Sequence, residues 1–159
     1  MKSQFKLLLA AAIFAIAPLQ LSAQLLSKST ISLELAKKIA ARAESEAAKN
    51  KWTMVIAVLD DGGNLIYLER MDGTQLGSIV VAQEKAKTAL QFKRPTKAFE
   101  DVVTGGRTVI LSLPGVVAIE GGLPLVVDGV IVGAIGVSGM KSTEDGVVAQ
   151  AGATVLTQP

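Results

Sequence analysis

Three short stretches of this 159-residue chain gather the side chains that could do chemistry: Arg70-Met71-Asp72-Gly73, Lys85-Ala86-Lys87-Thr88, and Glu120-Gly121-Gly122-Leu123-Pro124. The chain has no histidine and no cysteine. That excludes Cys/His zinc sites, thiol nucleophiles and any triad whose base is imidazole. Proton transfer would fall to Glu120, Asp72 or Lys85, each working at a shifted pKa. Ser138-Gly139 lacks the G-x-S-x-G pattern of a nucleophile elbow and has no His to activate it. Gly121 and Gly122 admit two readings: close approach of a ligand to the backbone, or a turn entering a strand before Pro124. Lys85 lies between apolar Ala82 and Ala86, so it faces solvent on a helix or points to a pocket mouth. Asp60 and Asp61 are ordinary turn residues. Glu69 and Asp72 flank Arg70 and either pair with it or hold a cation. Trp52, the one Trp, belongs to a core or an interface.

These residues need elements to position them. Ser32 can cap a helix whose apolar positions Leu35, Ala36, Ile39, Ala40, Ala43 and Ala47 recur every three or four residues. Residues 53–59 and 64–69 read as a hairpin around Asp60-Asp61-Gly62-Gly63. A second helix is expected over 76–91 and a short one over 97–103, with Thr96 as its cap. Residues 109–119 are apolar but interrupted by Pro114-Gly115, giving an edge strand or a wandering loop. Residues 123–127 and 130–137 form a second hairpin through Asp128-Gly129. Their near-continuous hydrophobicity says that both sheet faces are covered, by helices on one side and a neighbouring subunit on the other. Glycines 133 and 136 within that strand mark close packing, best explained by a helix lying across the sheet. Ser142-Thr143-Glu144-Asp145 makes a capping box for a last helix to about residue 156. Two hairpins among helices give an α+β fold with a mostly antiparallel sheet.

The ends set the compartment. Lys2 and Lys6 precede an apolar run over 7–17, then Pro18 and Leu21-Ser22-Ala23, the pattern of a secretory leader cleaved after Ala23. The run is too short to remain as a spanning helix. No Cys follows, so a lipid-anchored form is excluded. Removing 23 of 159 residues leaves 136, one domain at 24–159. The formal net charge of +2 is carried by the two leader lysines, leaving the domain near neutral and without a footprint for nucleic acid or an anionic membrane. A periplasmic or secreted protein with no stable membrane insertion is expected. Without disulfides, its core and subunit contacts must carry its stability.

Residues 121–125, Asp128-Gly129 and Gly133-Ala134-Ile135-Gly136-Val137-Ser138-Gly139 together resemble the signature of the GlcG/HbpS-like family, which also includes the PduO C-terminal domain. Arg70-Met71-Asp72-Gly73, Lys85-Ala86-Lys87-Thr88-Ala89, Asp145 and the small-residue helix at 149–153 match in order, so the resemblance covers 33–156. It implies a profilin-like five-stranded antiparallel sheet flanked by helices, a homo-oligomer, and haem as cofactor, in some members with haem breakdown. Haem iron is usually held by His, Cys, Met or Tyr. The resemblance therefore leaves Met71 and Tyr67 as weak iron ligands, with Met54, Met140 and Thr88 behind them. Arg70, Lys85 and Lys87 would meet the propionates. The implied pocket lies between the second helix, the loop 70–74 and the turn 121–124, with Asp72, Thr88, Glu120, Gly121, Gly122 and Pro124 around it. The leading expectation is a small-molecule binder for haem or a related planar anion, more a binder than an enzyme. The alternatives are an enzyme of small organic substrate or haem degradation, and a non-catalytic oligomeric accessory subunit.

Overall fold

Helix α1 (Leu33–Lys49) starts where Ser32 accepts a hydrogen bond from the Leu35 N–H at 3.2 Å. Its buried stripe is Ala36, Ile39, Ala40, Ala43 and Ala47, five of the six positions that the periodicity predicts, with Leu35 half-buried against them. Strands β1 (Val55–Asp60) and β2 (Leu65–Arg70) form the first hairpin. The Asp60 carboxylate closes its turn by accepting the Gly62 and Asn64 N–H groups at 2.9 and 2.8 Å. Helices α2 (Ser78–Phe92) and α3 (Lys97–Thr104) follow, then the second hairpin, β3 (Gly122–Val127) and β4 (Val130–Ser138), and α4 (Ser142–Ala153). At the second hairpin tip Asp128 and Gly129 both take positive φ, 49° and 77°, as a two-residue turn of the primed kind requires. The computed structural model describes residues 26–157; the leader expected at 1–23 lies outside them.

The sheet runs β2-β1-β4-β3 and is antiparallel throughout. Helix α2 covers one face with Ala82, Ala86 and Ala89. Helices α1 and α4 cover the other, over Met54, Ile56, Val58, Ile135 and Val137. Both faces are thus buried by this chain's own helices, and no neighbouring subunit is needed to explain the apolar strands. The approach of α2 is unusually close. Gly122 and Gly136 are cross-strand partners, and a Cβ at Gly136 would stand 1.9 Å from the Ala82 carbonyl oxygen. One at Gly122 would stand 2.2 Å from that of Lys85. Glycine at these two positions lets the helix backbone rest on the strands.

Several expectations need correction. The sheet has four strands among the described residues, not five. Of the two readings of residues 109–119 the loop holds and the edge strand does not: a 3-10 turn at Thr108–Ser112 runs into a loop where Pro114 has no N–H and Gly115 takes φ 74°. Thr96 does not cap α3 with its side chain. Its hydroxyl instead accepts the Gly122 N–H at 2.9 Å, and its own N–H donates to the Gly122 carbonyl at 3.0 Å. This occupies the outer edge of β3, where Pro124 supplies no donor either. Ser142 is the first residue of α4 rather than its cap, and its hydroxyl donates to Glu100 at 2.8 Å. The capping carboxylate is Glu144, which accepts the Lys141 N–H at 3.1 Å.

Candidate functional site

A cleft of about 440 Å³ opens between the turn that enters β3 and the outer side of α4. One wall is Glu120, Gly121, Gly122 and Leu123; the other is Gly146, Val147 and Gln150 of α4, with Pro95 and Lys97 at one end. Its walls are low because glycines form them. Gly146 has the Glu120 carboxylate where a side chain would begin, its Oε1 lying 2.2 Å from an ideal Cβ position. Thr96 pins Gly122 from the α3 side, and Glu100 gathers the neighbouring pieces. The Glu100 carboxylate accepts both the Glu120 N–H and the Ser142 hydroxyl, tying the turn to α3 and to the start of α4. Burial raises the Glu120 carboxyl above the usual range; Lys97 and Lys85 oppose this, while Glu100 and Asp101 add to it. Lys97 itself pairs with Asp101 at 2.7 Å, the hydrogen bond that holds its ammonium above the usual range.

Beneath this cleft is a buried ion pair. Lys85 is 1% exposed, and its Nζ donates to Asp145 Oδ2 at 2.6 Å and to the Val137 carbonyl at 3.1 Å. Asp145 also accepts the Met140 N–H at 3.1 Å. Burial nevertheless holds its carboxyl above the usual range, against the pull of Lys85. Lys85 is therefore neither on a solvated helix face nor at a pocket mouth. Gly121, at φ 125°, sits directly over the pair: a Cβ there would lie 2.9 Å from both Lys85 Nζ and Asp145 Cβ, and 2.6 Å from the Val137 oxygen. The packing need of Gly121 and Gly122 is thus internal: both are buried, and they form part of one wall of the cleft.

The structure brings together Glu120, Gly121 and Gly122, with Lys85 behind them, but not the remaining expected residues. Arg70 ends β2 and Met71 and Asp72 follow it, at the opposite edge of the sheet from β3. Three strand spacings put them about 14 Å away. The Arg70 guanidinium donates to the Thr74 carbonyl at 2.8 Å within its own loop, and Asp72 is exposed there. Met71 packs against the core under α1, whereas Arg70 pairs with Val55, whose side chain faces α2. The two side chains therefore serve opposite faces. The Tyr67 hydroxyl donates to Glu69 at 3.0 Å on the α1 side. Thr88 is buried, donating to the Gly115 carbonyl and accepting the Val117 N–H, both at 3.0 Å. It secures the loop after α3. Pro124 pairs with Ala134, which packs under α2, away from the cleft. Lys87 is paired with Glu84 at 2.6 Å and lines another depression.

The sequence reading missed Lys97, Gly146, Val147 and Gln150. Gly146 did leave a signal, since glycine inside a helix is costly unless something stands against it. None of the residues lining the cleft is His, Cys, Met or Tyr. Met54 is fully buried, and Met140, 45% exposed, is not among the cleft residues. The cleft thus offers apolar contact from Pro95, Leu123 and Val147 and one cation, Lys97, and supplies no strong axial ligand for a haem iron.

Comparison with known proteins gives the same outline. Protein GlcG of Escherichia coli K12 is 46% identical over 112 residues, 70% of this chain and 84% of GlcG. The crystal structure of HbpS superposes with a TM-score of 0.76 at 33% identity, covering 84% of this chain and 94% of HbpS. That of a PduOC–haem complex gives 0.71 at 28% identity, covering 79% and 94%. The model of the family described as haem degrading protein HbpS-like matches residues 31–154, and with that span of the fold accounted for the chain belongs to the HbpS-like family.

Proposed function

We propose that this protein is an exported binder of haem or a related planar, anionic small molecule, held in the cleft between the 120–123 turn and α4. The observation that carries this reading is the glycine-walled cleft itself, with Leu123 and Val147 for apolar contact and Lys97 at one end. Haem, when bound, would supply an extended apolar plane, two carboxylates and an iron. Apolar contact and charge pairing would hold it, because no strong iron ligand lines the cleft. Its family and the haem-bound PduOC neighbour support the choice of ligand. The leader pattern at 1–23 supports export to the periplasm or beyond, with the mature domain at 24–159. The described residues hold no helix long and apolar enough to cross a membrane. Exposed apolar side chains such as Leu76, Val80, Val109 and Leu111 support a homo-oligomer.

Titration of the mature protein with haemin, followed by the Soret band, tests this. A saturable shift is expected. Lys97→Gln should weaken it about fivefold, the worth of one exposed charge pair. Val147→Glu, at an exposed position on the cleft wall, should weaken it about tenfold or more by placing a charge against the apolar plane. Arg70→Ala and Met71→Ala should leave it unchanged. No saturable shift would remove haem as the ligand. A second reading, haem degradation, is favoured by the family's description. Bound haem should then bleach in peroxide faster than free haemin, and equal rates would argue against it.

A further inference from the structure

A second cleft, of about 620 Å³, lies at the end of the sheet where both hairpins turn, and nothing in the proposed haem site uses it. Four distant stretches of chain converge on it: residues 27–29, the Asp61-Gly62-Gly63 turn, the end of α2 from Lys87 to Lys93, and residues 129–131. The arm at 27–29 is held in place by Ile31, which is 4% exposed and donates its N–H to the Val132 carbonyl at 3.2 Å. Three lysines, Lys28, Lys87 and Lys93, line it with one carboxylate, Asp61, and Glu84 pairs with Lys87 beside it, leaving one positive charge in surplus. This is a local excess of positive charge in a domain that is otherwise balanced. Lys28 meets Asp61 only at 3.8 Å, Lys87 is held by Glu84, and Lys93 makes no ion pair among the described residues. Between the lysines, Leu90, Val130 and Ile131 supply an apolar floor, and Val130 is 52% exposed.

We infer that this end cleft is a separate binding site for a small organic anion, with its carboxylate or phosphate on Lys87 and Lys93 and its apolar body on Leu90, Val130 and Ile131. A concave site of this size, with an apolar patch from Leu90, Val130 and Ile131 beside several lysines, matches metabolite-sized ligands rather than an extended polyanion. The site is independent of the haem reading, since it shares no residue with the cleft at Glu120.

Amide chemical-shift titrations of the mature protein with hexanoate, hexyl phosphate and the neutral hexanol test it. Saturable shifts at Leu90, Lys93, Val130 and Ile131 are expected with one or both anions and not with hexanol; the tighter anion identifies the preferred head group. Lys87→Gln together with Lys93→Gln should weaken binding at least tenfold, while Lys87→Arg with Lys93→Arg should retain it. Both pairs alter surface side chains, and the same spectra report that the fold is intact. Lys97→Gln should change nothing here, which separates failure of this site from failure of the haem cleft. The inference is overturned if the anions produce no saturable shifts at these residues, if hexanol matches them, or if the double glutamine variant binds as well as the parent.

Discussion

Lys85 and Asp145 face each other in the interior with their charges satisfied by one another, by the Val137 carbonyl and by the Met140 N–H. Removing one member of such a pair leaves an uncompensated buried charge and costs about 3–5 kcal/mol. Lys85→Met should therefore lower stability by about that amount in urea unfolding, and adding Asp145→Leu should return a large part of it. A double variant no better than Lys85→Met would mean that the pair is not the source of the loss. Glu69 behaves differently. Its Oε1 is buried without a hydrogen-bond partner, and burial raises its carboxyl above the usual range despite the Tyr67 hydroxyl, with Glu44 adding to the rise. A carboxyl whose folded pKa exceeds its unfolded value contributes stability below the unfolded value, about pH 4.3, and that contribution fades as pH climbs through the folded value. Glu69→Gln should therefore stabilise the protein at neutral pH by about 1 kcal/mol and flatten the decline in stability between mildly acidic and neutral pH. Thermal melts across that range measure it, and parallel curves for the two proteins would count against this account.

At the scale of elements, the hairpins and helices were legible because each rests on a local rule. Ser32 caps α1, Asp60 closes the first turn, and Asp128-Gly129 closes the second. The fate of residues 109–119 was not legible, since an apolar run reads alike as an edge strand or as a loop fastened by Thr88. Thr96 and Ser142 look like caps locally, but tertiary partners, Gly122 and Glu100, claim their hydroxyls. The candidate site was half legible. Glycines 121 and 122 stood out, and strand alternation already separates Met71 from Arg70, but the strand order that sets β2 apart from β3 is a property of the assembled sheet. The contact of α2 with the strands gives the sharpest element-scale test. Gly136→Ala would drive a methyl into the Ala82 backbone carbonyl, and neither group can rotate away. A loss of about 3 kcal/mol or more is expected in chemical denaturation, at the upper end of overpacking costs. A loss under about 1 kcal/mol, the level of a tolerated core swap, would show that α2 can lift from the sheet.

For the molecule as a whole, the leader pattern proposes a mature chain beginning at Gln24. Sequencing the amino terminus of protein recovered from the exported fraction should read Gln24-Leu25-Leu26-Ser27; intact Met1 would contradict cleavage. The sheet margin at β3 has a further consequence. Gly122 has both outward backbone groups taken by Thr96, and two residues on Pro124 offers no hydrogen. A foreign strand sliding alongside would find the Gly122 groups taken and no donor at Pro124, so the start of this rim is a poor template for ribbon-like growth from one molecule to the next, the usual opening of fibril formation.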